Sequence, residues 1–149
     1  MLLPTLALPP IHAKCMEIEG KWKIFDKIRK KYIVLTPEEW VRQHLLCYLT
    51  DHLHYPPGLI RVEMPLKTLT RQRRSDLVIY DATGSVHMIA ECKKPSVKLN
   101  IRVLQQAMHY YQALKAPYVA ITNGMNILCI DMRDKSHISD SVPPYVGAL

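Results

Sequence analysis

Two spacings of apolar residues recur along the chain, and they predict its helices and strands. Apolar residues three or four positions apart indicate helices from Pro37 to about Leu53 and from about Leu99 to Leu114. Short runs of β-branched, aromatic and other apolar residues bounded by Pro, Gly, Asn or Asp indicate strands. The predicted strands are Leu59–Leu66, Leu77–Tyr80, Val86–Ala90, Tyr118–Thr122 and Asn126–Asp131. The resulting order, αβββαββ, predicts an α/β fold.

The first helix carries sequence signals at both ends. Thr36 is suited to be its N-cap, Pro37 its first residue and Glu39 the acid that completes a capping box. Glu38 and Glu39 also suit the positive end of the helix dipole. The sequence Tyr55 to Gly58 contains two prolines and a glycine, which end the helix. Capping therefore explains both glutamates without a metal-binding role.

The second and third predicted strands form the hairpin around which the candidate chemistry is arranged. A short link containing Thr83 and Gly84 joins them. Asp76 precedes the first of these strands, and Glu91 and Lys93 follow the second. Residues two apart on a strand point to the same face, so Glu91 and Lys93 should project together. In an antiparallel hairpin Asp76 becomes their neighbour.

Two acids and a lysine at one sheet margin suit phosphodiester chemistry. Carboxylates are hard oxygen ligands for Mg²⁺, and a nearby lysine orients water and stabilises charge on a phosphate. Acids and lysines are also common at strand ends, so the spacing alone leaves a purely structural explanation open. The apolar strand before Glu91 favours the functional explanation, because a buried carboxylate is costly unless it is paired or metal-bound.

The flanking segments differ in composition from the centre. Met1–Pro10 is apolar but broken by prolines and too short to span a bilayer, so we expect an arm that packs on the body or on a second copy. Lys21–Tyr32 interleaves lysines with aromatic residues, which suits nucleic-acid binding but equally a surface strand and turn. The polar tail from Lys135 is expected to be loosely held.

Length, charge and cysteine content limit the possible domain organisation and partners of the chain. With 149 residues the chain suits one ordinary domain, which we expect at 21–134, between an N-terminal arm at 1–20 and a C-terminal tail at 135–149. The formal charge of +7 suits a polyanionic partner, although a solvated basic face is common. Four separated cysteines, mostly within apolar segments, predict reduced core residues in a cytoplasmic protein. We expect no membrane association.

An ordered set of motifs resembles the type I restriction enzyme R-protein N-terminal-like family of the PD-(D/E)XK nuclease superfamily. The motifs are Phe25-Asp26 to Arg29-Lys30, Leu35 to Gln43, Val62-Glu63, Arg74-Ser75-Asp76, Glu91-Cys92-Lys93, Gln106 to Tyr110, and Thr122-Asn123-Gly124. The resemblance covers roughly Lys21 to Met132. It implies a restriction-endonuclease-like core, in which helices flank a mixed central β-sheet.

The resemblance also implies roles for individual residues. Asp76 and Glu91 would be metal ligands and Lys93 the catalytic lysine, with Glu39 as a further candidate ligand and Glu38 a weaker one. Gln106 and Tyr110 would form the accessory QxxxY element, and Glu63 is a further accessory residue; structural explanations remain stronger for Glu63 and Tyr110. Basic residues near the site are candidates for phosphate contacts: Lys67, Arg71, Arg73, Arg74 and Lys94.

The function these features predict is a Mg²⁺-dependent DNA endonuclease, with Mn²⁺ expected to substitute. The alternative is a non-catalytic nucleic-acid-binding or assembly module that retains the fold, and RNA remains open as a substrate. The chain has no GxxxxGK[ST] loop, which argues against ATP-driven translocation by this chain. Candidate partners are a second copy of the chain and restriction-modification subunits.

Overall fold

The computed structural model describes residues 2–63, 65–67, 72–74 and 76–147, with the backbone alone for 65–67 and 72–74. Its helices are α1 (Pro37–Cys47) and α2 (Ile101–Tyr111). Its strands are β1 (Cys15–Ile18), β2 (Lys21–Asp26), β3 (Lys31–Val34), β4 (Ile60–Val62), β5 (Pro65–Lys67), β6 (Gln72–Arg74), β7 (Leu77–Tyr80), β8 (Val86–Cys92), β9 (Tyr118–Thr122), β10 (Ile127–Asp131) and β11 (Asp134–Ser139).

A mixed six-stranded sheet forms the centre of the molecule, in the order β11-β10-β9-β8-β7-β4. Strands β8 and β9 are parallel, and the other neighbours within this sheet are antiparallel. A parallel pair needs a crossover connection, and α2 lies within it. The sequence-based prediction of a mixed α/β fold with two helices is therefore confirmed.

The two helices cover opposite faces of this sheet. Val41, Leu45 and Leu49 of α1 and the turn after it pack with one set of alternate sheet residues, including Leu77. Leu104 and other α2 residues pack with the intervening set. Strand β8 is buried from both sides: Met88 and Ile89 are 0% exposed. This double burial explains the uninterrupted apolar sequence of β8.

The predicted helices and strands are largely where the sequence placed them, but their ends differ. Thr36 Oγ1 accepts the Glu39 N–H at 3.0 Å, which confirms the N-cap. α1 ends at Cys47, and a π-helical turn, Tyr48–His52, follows it. The predicted strand Leu59–Leu66 is divided into β4 and β5. Glu63 lies between them with a φ of +53°, which a continuous strand cannot accommodate.

A separate three-stranded antiparallel sheet, β1-β2-β3, precedes α1. The predicted arm packs on the body: Leu6 and Leu8 belong to the core beneath α1. The Ala7 N–H donates to the Gly124 carbonyl at 2.9 Å, and Trp40 Nε1 donates to the Pro4 carbonyl at 2.9 Å.

The expectation of a loosely held tail is wrong for the described residues. β11 pairs with β10 at the edge of the main sheet, with Cys129 opposite Ser139. Beyond it, Val142 is buried and the Tyr55 hydroxyl donates to the Pro143 carbonyl at 2.7 Å. β11 was missed because its side chains are mostly exposed and polar, so apolar alternation is absent.

Two further observations concern the chain as a whole. The four cysteines form no disulfide with one another: Cys92 and Cys129 are buried, Cys47 is half-buried, and Cys15 is exposed, so the prediction of core positions is wrong for Cys15. No helix formed by the described residues is both long enough and apolar enough to cross a membrane.

Candidate nuclease site

Asp76, Glu91 and Lys93 meet at the open end of the β7–β8 hairpin. The Cys92 N–H donates to Asp76 Oδ2 at 2.7 Å, which fixes the aspartate beside the end of β8. Lys93 Nζ lies 3.6 Å from Glu91 Oε2. Cys92 is buried in the core on the α1 side of the sheet. The alternation of side chains in the hairpin thus places the three predicted residues together, with Cys92 turned away from the glutamate and lysine.

Glu91 is a buried carboxylate held from the α2 side. It is 5% exposed, and the Tyr111 hydroxyl donates to its Oε1 at 2.7 Å. Sequence reasoning assigned this accessory region to Gln106 and Tyr110. Gln106 is exposed, and Tyr110 is half-buried against the core on the α2 side. Tyr111 belongs to the apolar stripe of α2. The sequence signal for its role was a polar hydroxyl at the end of that stripe.

Arg42 is the main site residue that the sequence did not reveal. It reaches the site from α1, where Nη2 donates to Asp76 Oδ1 at 2.6 Å and Nη1 to Glu39 Oε1 at 2.7 Å. Its side chain is 6% exposed, and its Nε atom has no hydrogen-bond partner among the described residues. The sequence signal for Arg42 was its spacing. It follows Glu39 by three residues and Glu38 by four, so all three side chains lie on the same side of the helix.

Glu39 has more than a capping role. Its backbone N–H donates to the Thr36 N-cap, but its carboxylate, which was predicted to complete a capping box, is buried and accepts hydrogen bonds from other side chains. Arg29 Nη2 donates to Oε1 at 2.9 Å and Gln43 Nε2 to Oε2 at 3.1 Å. Capping alone is therefore an incomplete explanation of Glu39. Glu38, at the edge of the network, has a half-exposed side chain 3.4 Å from Arg42 Nη2.

The end of β2 supplies a second part of the network. Asp26 is fully buried, and its Oδ1 accepts the backbone N–H groups of Ile28 and Arg29 at 2.8 and 2.9 Å. Its Oδ2 accepts Arg29 Nε at 2.7 Å and Gln43 Nε2 at 3.0 Å. These bonds tie the N-terminal sheet to α1. Basic Lys21–Tyr32 forms a strand, a turn and the start of the next strand, and its binding of nucleic acid stays a prediction.

Glu63 connects β4 to the same network. Its N–H donates to the Asp76 carbonyl at 3.0 Å. Its carboxylate lies 3.3 Å from Arg29 Nη1 and 3.9 Å from Arg42 Nη1. A left-handed backbone at a non-glycine residue costs energy and recurs at functional sites. The left-handed conformation of Glu63 is therefore a further feature typical of a functional site at this end of the sheet.

The network changes the ionisation of its members. Burial opposes ionisation of Asp26, but hydrogen bonds from Arg29 and Gln43 outweigh it and lower the pKa of Asp26. Burial likewise opposes the charged form of Arg42, yet its hydrogen bond to Asp76 raises the pKa of Arg42, which stays a cation. Burial and the nearby Asp76 carboxylate raise the pKa of Glu38. The site thus combines ion pairs that stay charged with one acid, Glu38, that is protonated more readily than an ordinary glutamate.

A cavity of ≈ 460 Å³ opens beside the network. Its walls come from the end of β3, the start of α1 and the segments after β4 and β8, and it is lined by Ile33, Val34, Thr36, Pro37, Glu38, Glu39, Arg42, Glu63 and Lys94. Lys94 is exposed. Arg71 and the side chains of Lys67, Arg73 and Arg74 lie outside the described residues.

The donor chemistry of the site suits a hard divalent cation. Mg²⁺ keeps several waters and commonly takes one or two carboxylates from the protein, and Asp76 and Glu91 supply two at one margin. Each is already held in place, Asp76 by Arg42 and Cys92, Glu91 by Tyr111. Among the described side chains, no three acidic, histidine or cysteine residues are grouped as ligands of one ion.

A mixed sheet between two helices, with acids and a lysine at one end of a hairpin, defines the chain as an α/β protein. The sequence profile of the type I restriction enzyme R protein N terminus (HSDR_N) matches residues 37–143. The chain belongs to this family. Strands β1 to β3 lie outside the matched residues.

One solved structure has a similar fold. It is a fragment described as an HsdR subunit of a type I restriction enzyme from Vibrio vulnificus YJ016, with a TM-score of 0.57 and 18% identity. The match covers 74% of this chain and 24% of that one, so this chain spans about a quarter of that structure. A search of curated proteins gave no significant match.

Proposed function

We propose that this chain is a metal-dependent nuclease that hydrolyses DNA phosphodiester bonds on a restriction-endonuclease-like core. The observation that carries the proposal is the convergence of Asp76, Glu91 and Lys93 at one end of the β7–β8 hairpin. Membership of a family drawn from a restriction enzyme subunit supports a nuclease-related role. The fold similarity to the HsdR fragment is compatible with it.

Asp76 and Glu91 would hold Mg²⁺, or Mn²⁺ in its place, with Glu39 as a further candidate ligand. A bound divalent ion supplies an activated water and neutralises charge on the phosphate. The chain's own contribution is to hold the two carboxylates. The Cys92 N–H and Arg42 fix Asp76, and Tyr111 fixes Glu91.

Lys93 would act directly on the reacting groups. Its ammonium group lies beside Glu91, and its side chain is 32% exposed, so it can reach a substrate at the margin of the sheet. A fixed cation there stabilises the negative charge that develops on the phosphate and orients the attacking water. Lys94 is exposed at the adjoining cavity and would contact a neighbouring phosphate without reading sequence.

Arg42 is proposed as a positioning residue. It is shared between Asp76 and Glu39 and carries a charge that neither burial nor neutral pH removes. By holding Asp76 Oδ1 it leaves the aspartate in a single orientation. The phosphate contacts assigned to Lys67, Arg71, Arg73 and Arg74 remain predictions from sequence, as do the QxxxY roles of Gln106 and Tyr110.

The direct test compares wild type with Glu91→Gln and Lys93→Gln on single-stranded, duplex, branched and RNA substrates in Mg²⁺ and in Mn²⁺. Both variants should lose at least about a hundredfold in cleavage rate, because each removes a group from the proposed chemistry. Lys115→Gln, at an exposed position after α2, is the matched control and should cleave normally. Thermal unfolding of each variant separates lost chemistry from lost structure. Undiminished cleavage by folded Glu91→Gln would reject the site.

A second function is favoured by one specific contact. Arg42 bonds directly to Asp76, a residue proposed as a metal ligand, as it would in a chain that keeps the fold and binds nucleic acid without cutting it. Such a module should bind DNA equally in EDTA and in Mg²⁺, and no substrate in the panel should be cleaved. Metal-dependent cleavage by wild type would exclude this alternative.

A further inference from the structure

The three-stranded sheet β1-β2-β3 presents one face away from the body. Directly paired residues of antiparallel strands project to the same side. Ile24 is fully buried and lies opposite Cys15 and Ile33, which defines the inner side. The outer face therefore carries Met16, Ile18, Lys21, Lys23, Phe25, Tyr32 and Val34. Lys14 belongs to it as well, because the Phe25 N–H donates to the Lys14 carbonyl in the same register.

This outer face combines aromatic rings with positive charge. Phe25 and Tyr32 are directly opposite each other, with ring centroids 5.3 Å apart in an edge-on arrangement, and both remain partly exposed. Met16 and Val34 extend the apolar surface and are 43% and 44% exposed. The rings and aliphatic side chains thus form a contiguous exposed surface on strands that nothing in the described chain covers.

The charge of the face has one sign. Lys14, Lys21 and Lys23 lie on it, and none makes an ion pair with a carboxylate in the described part of the chain. The two acids on these strands, Glu17 and Asp26, lie on the opposite side according to the register. An apolar surface rimmed by unpaired lysines is complementary to a ligand with flat apolar groups on a polyanionic backbone.

The face also leads into the candidate site. Val34, at the end of β3, both belongs to the outer face and lines the cavity of ≈ 460 Å³ shared with Glu38, Arg42 and Glu63. Asp26 and Arg29 fasten the other end of the β2–β3 hairpin to the same network. The outer face therefore adjoins this cavity, and Arg42 in the cavity wall bonds Asp76 of the proposed nuclease site.

From this geometry we infer that the outer face of β1-β2-β3 binds single-stranded DNA and directs it to the Asp76–Glu91–Lys93 site. Unpaired bases stack on exposed aromatic rings, whereas bases in a duplex are already stacked on one another. Lysines beside the rings contact the phosphates. The face is roughly 10 Å wide, given about 4.8 Å between strands, which accommodates a few nucleotides. The direction toward the site rests on the proposed function, but binding to the face does not.

The experiment measures equilibrium binding of a fluorescent oligo-dT and of a duplex of equal length in EDTA, so that no cleavage occurs. Wild type should prefer the single strand. Phe25→Leu combined with Tyr32→Leu, which keeps apolar volume and removes the rings, should weaken single-strand binding at least about tenfold. Lys21→Gln combined with Lys23→Gln should weaken it and flatten its dependence on salt.

A charge-matched control guards against a general electrostatic effect. Lys115→Gln combined with Lys135→Gln removes the same charge from exposed positions after α2 and on β11, and should bind like wild type. The inference is overturned if the ring variant binds normally, if duplex is preferred, or if the control weakens binding as much as the Lys21/Lys23 variant. If the ring variant does not fold, single-strand binding by the Lys21/Lys23 variant alone decides whether the inference stands.

Cleavage assays then separate this inference from the proposed function. Single-strand binding that depends on the rings, without cleavage, would leave the inference standing and reject the nuclease. Cleavage by wild type, together with binding that the ring and lysine variants do not change, would support the nuclease and reject the inference. Sedimentation of wild type and the ring variant tests whether a second copy of the chain occupies the face. A wild-type dimer that is lost in the ring variant would overturn the inference in favour of self-association. Tighter binding to oligo-U than to oligo-dT would overturn it in favour of RNA.

Discussion

Tyr111 and Tyr110 are adjacent on α2, and their one-residue offset decides which of them reaches Glu91. Tyr111 is 1% exposed and its hydroxyl donates to Glu91 at 2.7 Å. A hydrogen bond to a buried charged group contributes about 1.5–3 kcal/mol. Tyr111→Phe should therefore lower the free energy of unfolding by roughly this amount in urea titrations, and should slow any cleavage that depends on Glu91.

The matched control for this change is Tyr80→Phe. Tyr80 is half-buried on β7, and its hydroxyl makes no hydrogen bond to any described residue. Removal of that hydroxyl should change stability by less than about 0.5 kcal/mol, as for an ordinary surface substitution. Equal losses for the two variants would mean that the Tyr111–Glu91 contact is not the source of the effect.

Asp26 gives the molecule a defined response to acid. Hydrogen bonds from Arg29 and Gln43 outweigh burial and place its pKa below the unfolded value of about 3.9. Its stabilising contribution is therefore complete above the unfolded pKa and is lost as pH falls through the lower, folded pKa. Asp26→Asn should be less stable than wild type at pH 7, and the difference should shrink below about pH 4. Urea unfolding from pH 7 to pH 3 measures this, and a difference that grows in acid would contradict it.

The turn between β9 and β10 joins the arm to the main sheet through Gly124. Its φ is +85°, and a Cβ there would lie 2.9 Å from both Leu6 methyl groups and 3.2 Å from Val41 Cγ2. Gly84, with a φ of +88°, has no atom within 4 Å of the same position. Gly84→Ala should therefore incur only backbone strain, about 1 kcal/mol, whereas Gly124→Ala should add an overpacking cost of about 1–3 kcal/mol. Equal unfolding free energies for the two variants would show that the arm is not seated there.

Elements with strong local signals were the ones that sequence could predict. The β7–β8 hairpin, β9 and the cap of α1 follow from apolar runs, turn residues and Thr36. The predicted β10 differs from the structure by one residue at its start. Of the N-terminal sheet the sequence predicted only a surface strand and turn at Lys21–Tyr32, as one of two alternatives, and it did not predict β1 or β11. These two strands are largely exposed, so apolar alternation is weak. The division at Glu63 depends on the backbone conformation of one residue, which composition does not encode.

At the scale of the whole molecule, the site is assembled from segments distant in sequence. Asp76, Glu91 and Lys93 were found together because they share one hairpin, where spacing alone sets proximity. Arg42 and Asp26 enter by tertiary packing of α1 and the N-terminal sheet against that hairpin, and no local pattern predicts those contacts. The family resemblance located the region of the site, and the tyrosine that bonds Glu91 there is Tyr111, the neighbour of Tyr110.

The seating of Leu6 beside Gly124 has a consequence for how the chain folds during synthesis. Leu6 enters the core with α1, but its contact at Gly124 is made about 118 residues later in the chain. At roughly 5–20 residues per second, the ribosome takes about 6–24 s to add that segment. Throughout that interval the arm lacks its final partner and presents apolar side chains. The native contacts of Leu6 are therefore completed only after Gly124 has been synthesised.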